Sequence, residues 1–418
     1  MSYSAPIADV DEAMFWIDGQ AEPMRQRVER WCAINSGSIN RDGLEQMAAE
    51  AVGAFEPLGG RIDRLPMAGY ERINQHGQVD SVVLADAVQI VKRPEASFQI
   101  LLGIHLDTVF GPEHAFQKVE TIDPTTLRGP GVADAKGGLV VMLTALEALE
   151  RSGCAKKLGW TVLLNPDEEL GSPGSAPLLQ RAAANADIGL VYEPTLPDGS
   201  LIGQRKGSGN FTIVVRGRAA HVGRHFGQGR SAIFALAELI RDIGLLGEHI
   251  PGALVNAGEI SGGGPVNVVA DLAIGRFNIR VDTYEQQRQV QQYLQSLVRK
   301  SRLADGIELE LHGGFAAPPK RLDPATECLL GQVADCGRDL GLAVQWQTSG
   351  GVCDGNRLAA AGLSTVDTLG PRGGSIHSDQ EFLLLDSLVE RAKLSALLLM
   401  GYANGRFTDP MSSVEPVL

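Results

Sequence analysis

Short apolar runs alternate with longer helical stretches in the first half of the chain. The segments "SVVLA" from Ser81, "SFQILLGI" ending at Ile104, "WTVLLN" and "DIGLVYE" have the length and composition of buried strands. The segment "GGLVVMLTALEALERSG" from Gly137 is apolar on nearly every face and predicts a buried helix. Helical spacing also extends from about Asp9 to Ile34 and from Leu44 to Phe55. Strands that alternate with helices indicate an α/β sheet with parallel crossovers.

The pattern changes after Gly207. Four segments of strand character follow, "FTIVVRG", "ALVNAGEISGG", "LAIGRFNIRVD" and "GIELELHGG". Apolar and polar residues alternate in "IGRFNIRV", which is typical of a strand with one open face. Helices are predicted from about Ser231 to Leu246 and from Thr283 to Lys300. We therefore expect a separate α+β domain of residues 206–318, followed by a hinge over Ala316 to Pro324.

The last part of the chain returns to the first pattern. The segment "LSTVDTLG" predicts a strand, and a long helix is predicted from Phe382 to Tyr402. The strand and the helix would complete the domain that contains the first sheet. We predict a discontinuous α/β domain of residues 1–205 and 319–418, whose mixed, mostly parallel sheet is flanked by helices. The smaller α+β sandwich of residues 206–318 would interrupt it as a lid and dimerisation domain.

Composition narrows the classes of function. The chain of 418 residues is 44% hydrophobic and 21% charged, which is typical of a soluble globular protein. Its net charge of −13 argues against nucleic acid or an anionic membrane as the main partner. The five cysteines are scattered without a C-x-x-C pair, so neither a disulfide framework nor a thiolate zinc site is predicted. With no secretory signal pattern and no membrane-spanning run, a cytoplasmic location is expected.

Several apolar runs end in residue types that bind metals. A single His-x-Asp or Glu-Glu pair is usually a surface ion pair or a solvated turn, but parallel strands bring their carboxyl ends to one edge of a sheet. So many carboxylates in one place would need cations to neutralise them. Imidazole and carboxylate without thiolate suit zinc, cobalt or manganese, and five candidate ligands suit two metals that share a carboxylate. Seven residues of metal-binding types follow these runs, and the resemblance described next implies that five of them are ligands: the seven are His105, Asp107, Asp134, Glu168, Glu169, Glu193 and His377.

Six motifs resemble those of one known family. In order they are "HLDTV", "GPGVADAKGG", "NPDEELGSPGS", "VYEPT", "AAHVG" and "GGSIHSDQE". They are similar to the motifs of the co-catalytic zinc peptidases, a family that includes glutamate carboxypeptidase, acetylornithine deacetylase, peptidase T and the aminoacylases. The resemblance extends from about Ser81 to Met400 and is greatest to the glutamate carboxypeptidase branch.

The resemblance implies a role for each candidate ligand. Asp134 would bridge two Zn2+ ions per subunit, for which Co2+ or Mn2+ could substitute, and a cis peptide to Ala135 would aim its carboxylate. His105 and Glu193 would complete one metal site. Glu169 and His377 would complete the other. Asp107 would accept the second ring N–H of His105, and Glu168 would be the general base for a metal-bridging water.

Substrate contacts are implied in the second domain and in the "TSGGVCDGN" segment. The resemblance implies that His221 enters the active site of a partner subunit and stabilises the oxyanion. Asn267 and Arg280 would hold the substrate carboxylate or the oxyanion, with the alternative that Arg280 is only a solvated residue of an open strand face. The backbone N–H groups of Gly350 and Gly351 could also contact a carboxylate. The family has a small residue and a proline soon after the histidine, where this chain has "RHF" at residues 224–226.

These inferences predict a homodimeric metallohydrolase that acts on a small peptide or an N-acyl amino acid. It would cleave an amide or peptide bond next to a free carboxylate, as a carboxypeptidase does. An N-acyl amino acid deacylase is the alternative, because both reactions leave a free amino acid. A metal-dependent binding or scaffold protein that has lost its base or a ligand is the hypothesis from another class. No role is predicted for Asp167.

Overall fold

The chain forms one large mixed sheet and one smaller antiparallel sheet, each with its own helices. The computed structural model describes residues 7–301 and 306–413. Within these residues the α-helices are α1 (Ile7–Asp18), α2 (Ala21–Cys32), α3 (Arg41–Phe55), α4 (Lys136–Arg151), α5 (Ala176–Ala183), α6 (Val222–His225), α7 (Ala232–Gly244), α8 (Leu246–His249), α9 (Tyr284–Ser301), α10 (Pro324–Asp339), α11 (Asp354–Ala360) and α12 (Asp386–Ala403). The strands are β1 (Arg61–Leu65), β2 (Tyr70–Ile73), β3 (Val79–Val82), β4 (Ala87–Lys92), β5 (Gln99–His105), β6 (Glu120–Asp123), β7 (Thr126–Arg128), β8 (Gly159–Asn165), β9 (Ile188–Val191), β10 (Leu201–Arg205), β11 (Gly207–Arg216), β12 (Leu254–Gly262), β13 (Leu272–Val281), β14 (Glu308–Ala317), β15 (Trp346–Ser349), β16 (Thr365–Val366), β17 (Gly373–Gly374) and β18 (Phe382–Leu384).

The large sheet has the strand order β1-β4-β8-β5-β9-β16. The four strands β8, β5, β9 and β16 run parallel, whereas β4 is antiparallel to β8 and β1 is antiparallel to β4. Helices cover this sheet, so the predicted mixed, mostly parallel α/β architecture is confirmed. Because four neighbouring strands point the same way, their carboxyl ends meet at one edge.

Helix α4 is the central helix of the larger core. It is buried on nearly every face and packs against α12, α2 and β5, as its continuous apolar sequence predicts. No helix within residues 7–301 and 306–413 is long and apolar enough to cross a membrane.

Three elements differ from their predicted form. The helical stretch from Asp9 to Ile34 is divided into α1 and α2 by a turn at Gly19 and Gln20. The "SVVLA" segment joins only a two-stranded hairpin of β2 and β3, and the less apolar "AVQIVK" supplies β4 of the large sheet. The helix predicted from Phe382 begins at Asp386, because Phe382–Leu384 form β18 and pair with β7.

The smaller sheet has the antiparallel order β12-β13-β11-β14. Helices α7 and α9 cover one face and form a second apolar core with it, separate from the core of the large sheet. The chain is therefore an α/β protein interrupted by a smaller α+β domain. The exact boundaries at residues 206 and 318 stay a prediction.

The two chain segments that enter and leave the smaller domain are joined to the large one at a buried carboxylate. Arg205 and Lys320 pair through their backbones, with N···O distances of 2.9 and 3.1 Å. Both side chains converge on Asp367, which accepts from Arg205 Nε at 2.9 Å and from Lys320 Nζ at 2.7 Å. Burial alone would raise the pKa of the Asp367 carboxyl, but the positive charges of Arg205 and Lys320 hold that pKa below its usual range.

Candidate metal centre

Strand register delivers the first candidate ligands to the same edge of the large sheet. His105 is the last residue of β5 and pairs in register with Asn165, the last residue of β8. Glu168 and Glu169 follow β8 in a short 3-10 turn, and Glu193 comes two residues after β9. The sequence prediction that parallel strand ends bring these residues together is therefore confirmed.

His105, Asp134 and Glu193 form a buried group that could hold a metal ion. His105 Nε2 lies 3.0 Å from Asp134 Oδ1 and 3.7 Å from Glu193 Oε1. Oε1 of Glu193 is buried and has no hydrogen-bond partner among the described residues. An orphaned carboxylate oxygen that faces an imidazole is what a cation site requires, so the donors fit a metal of the zinc type.

Asp134, Glu169 and His377 form the second group. His377 Nε2 lies 3.2 Å from Asp134 Oδ2 and 3.1 Å from Glu169 Oε2. Asp134 thus turns one oxygen toward each group, and its peptide bond to Ala135 is cis, as the resemblance implies. The His377 side chain is 52% exposed, and its φ of 62° lies in the left-handed region that residues other than glycine seldom adopt.

The histidines and carboxylates of the two groups shift one another's pKa values. Hydrogen bonds to Asp134 and Glu169 raise the pKa of His377 to about 11. Burial lowers the pKa of His105, but the charge of Glu193 and the hydrogen bonds to its neighbours raise it well above the usual value. Burial and the charge of Asp134 raise the pKa of Glu169 to about 7. The site therefore gathers more negative charge than it can hold without bound cations.

Asp107 holds both neighbouring acids of the turn after β8. Its carboxylate is fully buried and accepts from the backbone N–H groups of Glu168 and Glu169, each at 3.1 Å, and from Ser38 Oγ at 2.7 Å. His105 Nδ1 lies 2.9 Å from the Asp107 carbonyl oxygen and 3.3 Å from its Oδ1. Asp107 thus orients a histidine on one strand and two glutamates on the next.

Glu168 and Glu169 point to different surroundings although they are adjacent. Glu169 contacts His377, whereas Glu168 is half-buried in the cavity wall. Burial, together with the charges of Glu193, Asp354 and Glu169, raises the pKa of Glu168 well above its usual value. Glu169 belongs to one of the metal-binding groups, whereas Glu168 belongs to neither.

Asp167 shapes the turn from inside. Its Oδ2 accepts from the backbone N–H groups of Gly174 at 2.7 Å and Ser175 at 3.1 Å. The side chain is buried below the chain segment that leads into α5. Asp167, for which the sequence predicted no role, therefore has a structural role.

The first turn of α11 supports the metal-binding turn from the other side. Asp354 accepts from Asn165 Nδ2 at 2.7 Å and makes a short hydrogen bond with Ser172 Oγ. Two residues later, Asn356 donates to the carbonyl oxygens of Lys206 and Pro318, at 3.0 and 2.7 Å. One helical turn thus contacts both the turn of Glu168 and the two segments that lead to the smaller domain.

A glycine allows α4 to approach the end of β9 closely. A side chain at Gly138 would place its Cβ 1.9 Å from the Tyr192 carbonyl oxygen. Since Asp134 precedes α4 and Glu193 follows Tyr192, this contact brings two ligand-bearing segments together.

A cavity of about 460 Å3 lies beside both groups. Metal-binding side chains line one part of it, and Arg280 of the smaller domain and Gly351 line another. Arg280 donates to the Gly350 carbonyl oxygen at 2.5 Å, and the Gly351 N–H donates to Ser349 Oγ at 3.0 Å. The structure thus brings Arg280 and the glycine segment to the cavity, although it gives the Gly351 N–H an internal acceptor.

His221 and Asn267 lie elsewhere on the surface. Both are exposed on loops of the smaller domain, and neither is among the described residues that line the cavity. They are close to each other, because the Val222 N–H donates to the Asn267 carbonyl oxygen at 3.0 Å. Within one chain, these two predicted substrate residues are not brought to the metal-binding groups.

Comparison with known proteins identifies the family. A family model described as "Peptidase family M20/M25/M40" matches residues 101–401. The chain belongs to this peptidase family. This M20/M25/M40 peptidase is a metal-dependent hydrolase of peptide or amide bonds. The family resemblance and the prediction of an enzyme are thereby confirmed.

The M20/M25/M40 peptidase is similar to characterised relatives over most of its length. It is 23% identical over 401 residues to carboxypeptidase G2 of Pseudomonas sp. (strain RS-16). The alignment covers 95% of this chain and 93% of that protein. It is 26% identical over 347 residues to a succinyl-diaminopimelate desuccinylase of Pseudoalteromonas translucida (strain TAC 125), covering 78% of this chain and 88% of that protein. A tripeptidase of Staphylococcus aureus subsp. aureus Mu50 shares its fold, with a TM-score of 0.69 at 20% identity over 92% of this chain and 99% of that chain.

Sequence reasoning missed several polar residues around the metal centre of this peptidase. Ser38 supports Asp107, Asp354 supports the turn of Glu168, and Glu381 contacts the backbone around Asp134. Glu381 ends the "GGSIHSDQE" motif and Asp354 lies within the "TSGGVCDGN" segment, so both carried a sequence signal. Ser38 is an ordinary loop residue whose partner Asp107 is distant in sequence.

Proposed function

We propose that the protein is a dinuclear zinc hydrolase that cleaves an amide or peptide bond next to a free carboxylate and releases a C-terminal amino acid. The observation that supports it best is the meeting of two metal-binding groups, which share Asp134, with Arg280 at one cavity. The family membership supports the same class of reaction.

Two ions would be held by the residues of the two groups. His105 and Glu193 would hold one, Glu169 and His377 the other, and Asp134 both. When bound, Zn2+ supplies Lewis acidity for the scissile carbonyl and for activation of water, and Co2+ or Mn2+ could replace it. Asp107 would keep the His105 ring oriented toward Asp134 and Glu193.

Glu168 would move the proton. It lines the cavity and lies outside both metal-binding groups, so its carboxylate is available to accept a proton from the attacking water. It would then return that proton to the departing amine. Burial raises the pKa of Glu168 and bound cations lower it, and these opposing effects favour transfer in both directions near neutral pH.

Arg280 and the size of the cavity would select the substrate. A guanidinium can bind a carboxylate through two parallel hydrogen bonds, and Arg280 would exchange its contact with the Gly350 carbonyl for one with the substrate. A volume of about 460 Å3 suits a small peptide or an N-acyl amino acid. A deacylase is the second candidate, because one similar relative is a desuccinylase.

A homodimer would complete the site. The smaller domain, proposed as residues 206–318, exposes the edge strand β12 and the apolar side chains of Ile233, Phe234, Leu254 and Ile260. Since His221 and Asn267 are exposed away from their own cavity, we infer that they serve the cavity of a partner subunit. His221 would there stabilise the developing oxyanion.

A paired substrate screen tests the proposed function. Dipeptides and N-acyl amino acids would be compared with the same compounds carrying a carboxamide in place of the free carboxylate. We expect cleavage of the carboxylates only, loss of cleavage after removal of metal by a chelator, and a raised KM in Arg280→Ala. Equal cleavage of the carboxamides, or full activity without metal, would contradict the proposal. Preference for acyl groups over peptides would favour the deacylase.

A further inference from the structure

Glu381 is a fully buried carboxylate beneath the loop that carries Asp134. Its Oε2 accepts from the Gly131 N–H at 3.1 Å, and its Oε1 accepts from the N–H groups of Ala133 at 2.9 Å and Asp134 at 3.0 Å. One side chain thus satisfies three backbone donors within four residues.

These donors need an acceptor that the loop itself cannot supply. The loop leaves β7 at Arg128 and enters α4 at Lys136, so it is not part of a ladder or a helix that would pair its N–H groups. An ionised carboxylate accepts several hydrogen bonds, and those to charged groups are stronger than neutral ones. Glu381 therefore fixes the backbone from which the Asp134 carboxylate projects.

Glu381 also belongs to the segment that carries His377. It follows His377 by four residues, and its backbone carbonyl accepts from the Gly129 N–H at 3.2 Å. The next residue, Phe382, pairs with Arg128 between β18 and β7. Side chain and backbone together therefore attach the loop of Asp134 to the loop of His377.

We propose that Glu381 is a positioning residue that sets the distance between Asp134 and His377 and so makes the centre competent to hold both ions. Asp134 belongs to both metal-binding groups, so a shift of its carboxylate would weaken both. Glu381 would act through the Asp134 backbone and contact neither metal nor substrate. The inference rests on the proposed two-ion centre and not on the proposed substrate.

The test compares Glu381→Gln with Asp379→Asn. A carboxamide offers one acceptor oxygen and turns an NH2 group toward the backbone donors, so the three hydrogen bonds cannot all form. Asp379 is exposed and lies in the same segment, two residues from both His377 and Glu381, so its variant makes the same change from carboxylate to carboxamide without touching the loop of Asp134. Glu381→Asp keeps the charge with a shorter reach.

Binding of Zn2+ to the metal-free proteins would be measured by competition with a chromophoric chelator, and the absorption spectrum of bound Co2+ would report ligand geometry. We expect affinity for both ions to fall by about 10- to 100-fold in Glu381→Gln, less in Glu381→Asp, and not at all in Asp379→Asn. Urea unfolding of each metal-free protein would show that the loss occurs in folded protein.

Three outcomes separate this inference from the proposed function. Wild-type affinity in Glu381→Gln, with two ions bound, would overturn the positioning role. A loss explained entirely by the unfolded fraction, with normal affinity and Co2+ spectrum in Glu381→Asp, would overturn it as well. A wild-type protein that binds fewer than two ions would instead contradict the proposed dinuclear centre.

Discussion

The two metal-binding groups share Asp134 but are built in different ways. The first, with His105 and Glu193, lies at the ends of neighbouring strands, and the His105 side chain is only 1% exposed. The second, with Glu169 and His377, lies on turns, and the His377 side chain is 52% exposed. The first is fixed by sheet register, whereas the second depends on hydrogen bonds from side chains to loop backbone.

The strand half of the centre, with His105 and Glu193, is therefore preformed by the sheet. The turn half, with Glu169 and His377, depends on supporting side chains. The register of β5 and β9 cannot shift without breaking the large sheet. The turn half, in contrast, is held by Asp107, Asp354 and Glu381, each a single side chain. We expect the strand half to contribute to stability and the turn half to respond to proton concentration.

Replacing the shared residue should have the largest effect. Asp134→Asn removes the charge that faces both histidines, so we expect both ions and all turnover to be lost. Elemental analysis after dialysis and a hydrolysis assay check this. Asp123→Asn, on the exposed strand β6, is a suitable control. Retention of one ion at wild-type affinity would show that the two groups do not share Asp134.

Glu168→Gln should abolish turnover while leaving metal content unchanged. Loss of a general base costs about 10²- to 10⁴-fold in kcat, and Glu168 belongs to neither metal-binding group. The matched change at the neighbouring residue, Glu169→Gln, should instead lower the number of bound ions. Metal content and kcat measured on both variants would distinguish the two roles, and a fully active Glu168→Gln would exclude the base assignment.

The strand half of the centre and the four parallel strands of the large sheet could be predicted from sequence, because apolar runs mark the strands and the parallel-strand rule brings their carboxyl ends together. His105 and Glu193 therefore needed only a strand assignment. His377 lies far along the chain on a loop in a left-handed conformation, and no periodicity predicts that position. It was named as a metal-binding residue type on the loop after the strand "LSTVDTLG", and its role as a ligand came from the family resemblance.

Supporting residues were the least predictable part. Ser38, Asp354 and Glu381 act through hydrogen bonds between segments that are 69, 182 and about 250 residues apart. The short strand β18 was predicted as the start of a helix. Its pairing partner β7 is also far away in the sequence, so the local pattern does not reveal that these residues form a strand. Such contacts depend on tertiary packing, which local pattern does not contain.

Removing each histidine should separate the two halves by stability. His105→Ala leaves buried carboxylates without their cationic partner, so the metal-free protein should lose on the order of 3 kcal/mol of unfolding free energy. His377→Ala also leaves buried carboxylates, those of Asp134 and Glu169, but it removes a half-exposed partner, so it should cost less than His105→Ala. Urea titrations of both variants without metal provide the measurement, and each variant should retain one ion when metal is added. Equal destabilisation would contradict the difference in construction.

The last difference between the two halves concerns the protons that metal binding displaces. In the metal-free centre the pKa of His377 is raised to about 11, so this histidine is protonated at pH 7, and the pKa of His105 is raised above its usual value. Each ion must displace a histidine proton, so affinity should rise with pH by about tenfold per unit for each ion. Glu169, with a pKa raised to about 7, adds a further proton only below that pH and only in the turn half. Calorimetry in buffers of different ionisation enthalpy would count the protons, and His377→Ala should release fewer than His105→Ala below pH 7. Metal affinity that did not change between pH 6 and pH 8 would contradict the displacement of histidine protons, and equal proton release from the two variants would contradict the greater proton sensitivity of the turn half.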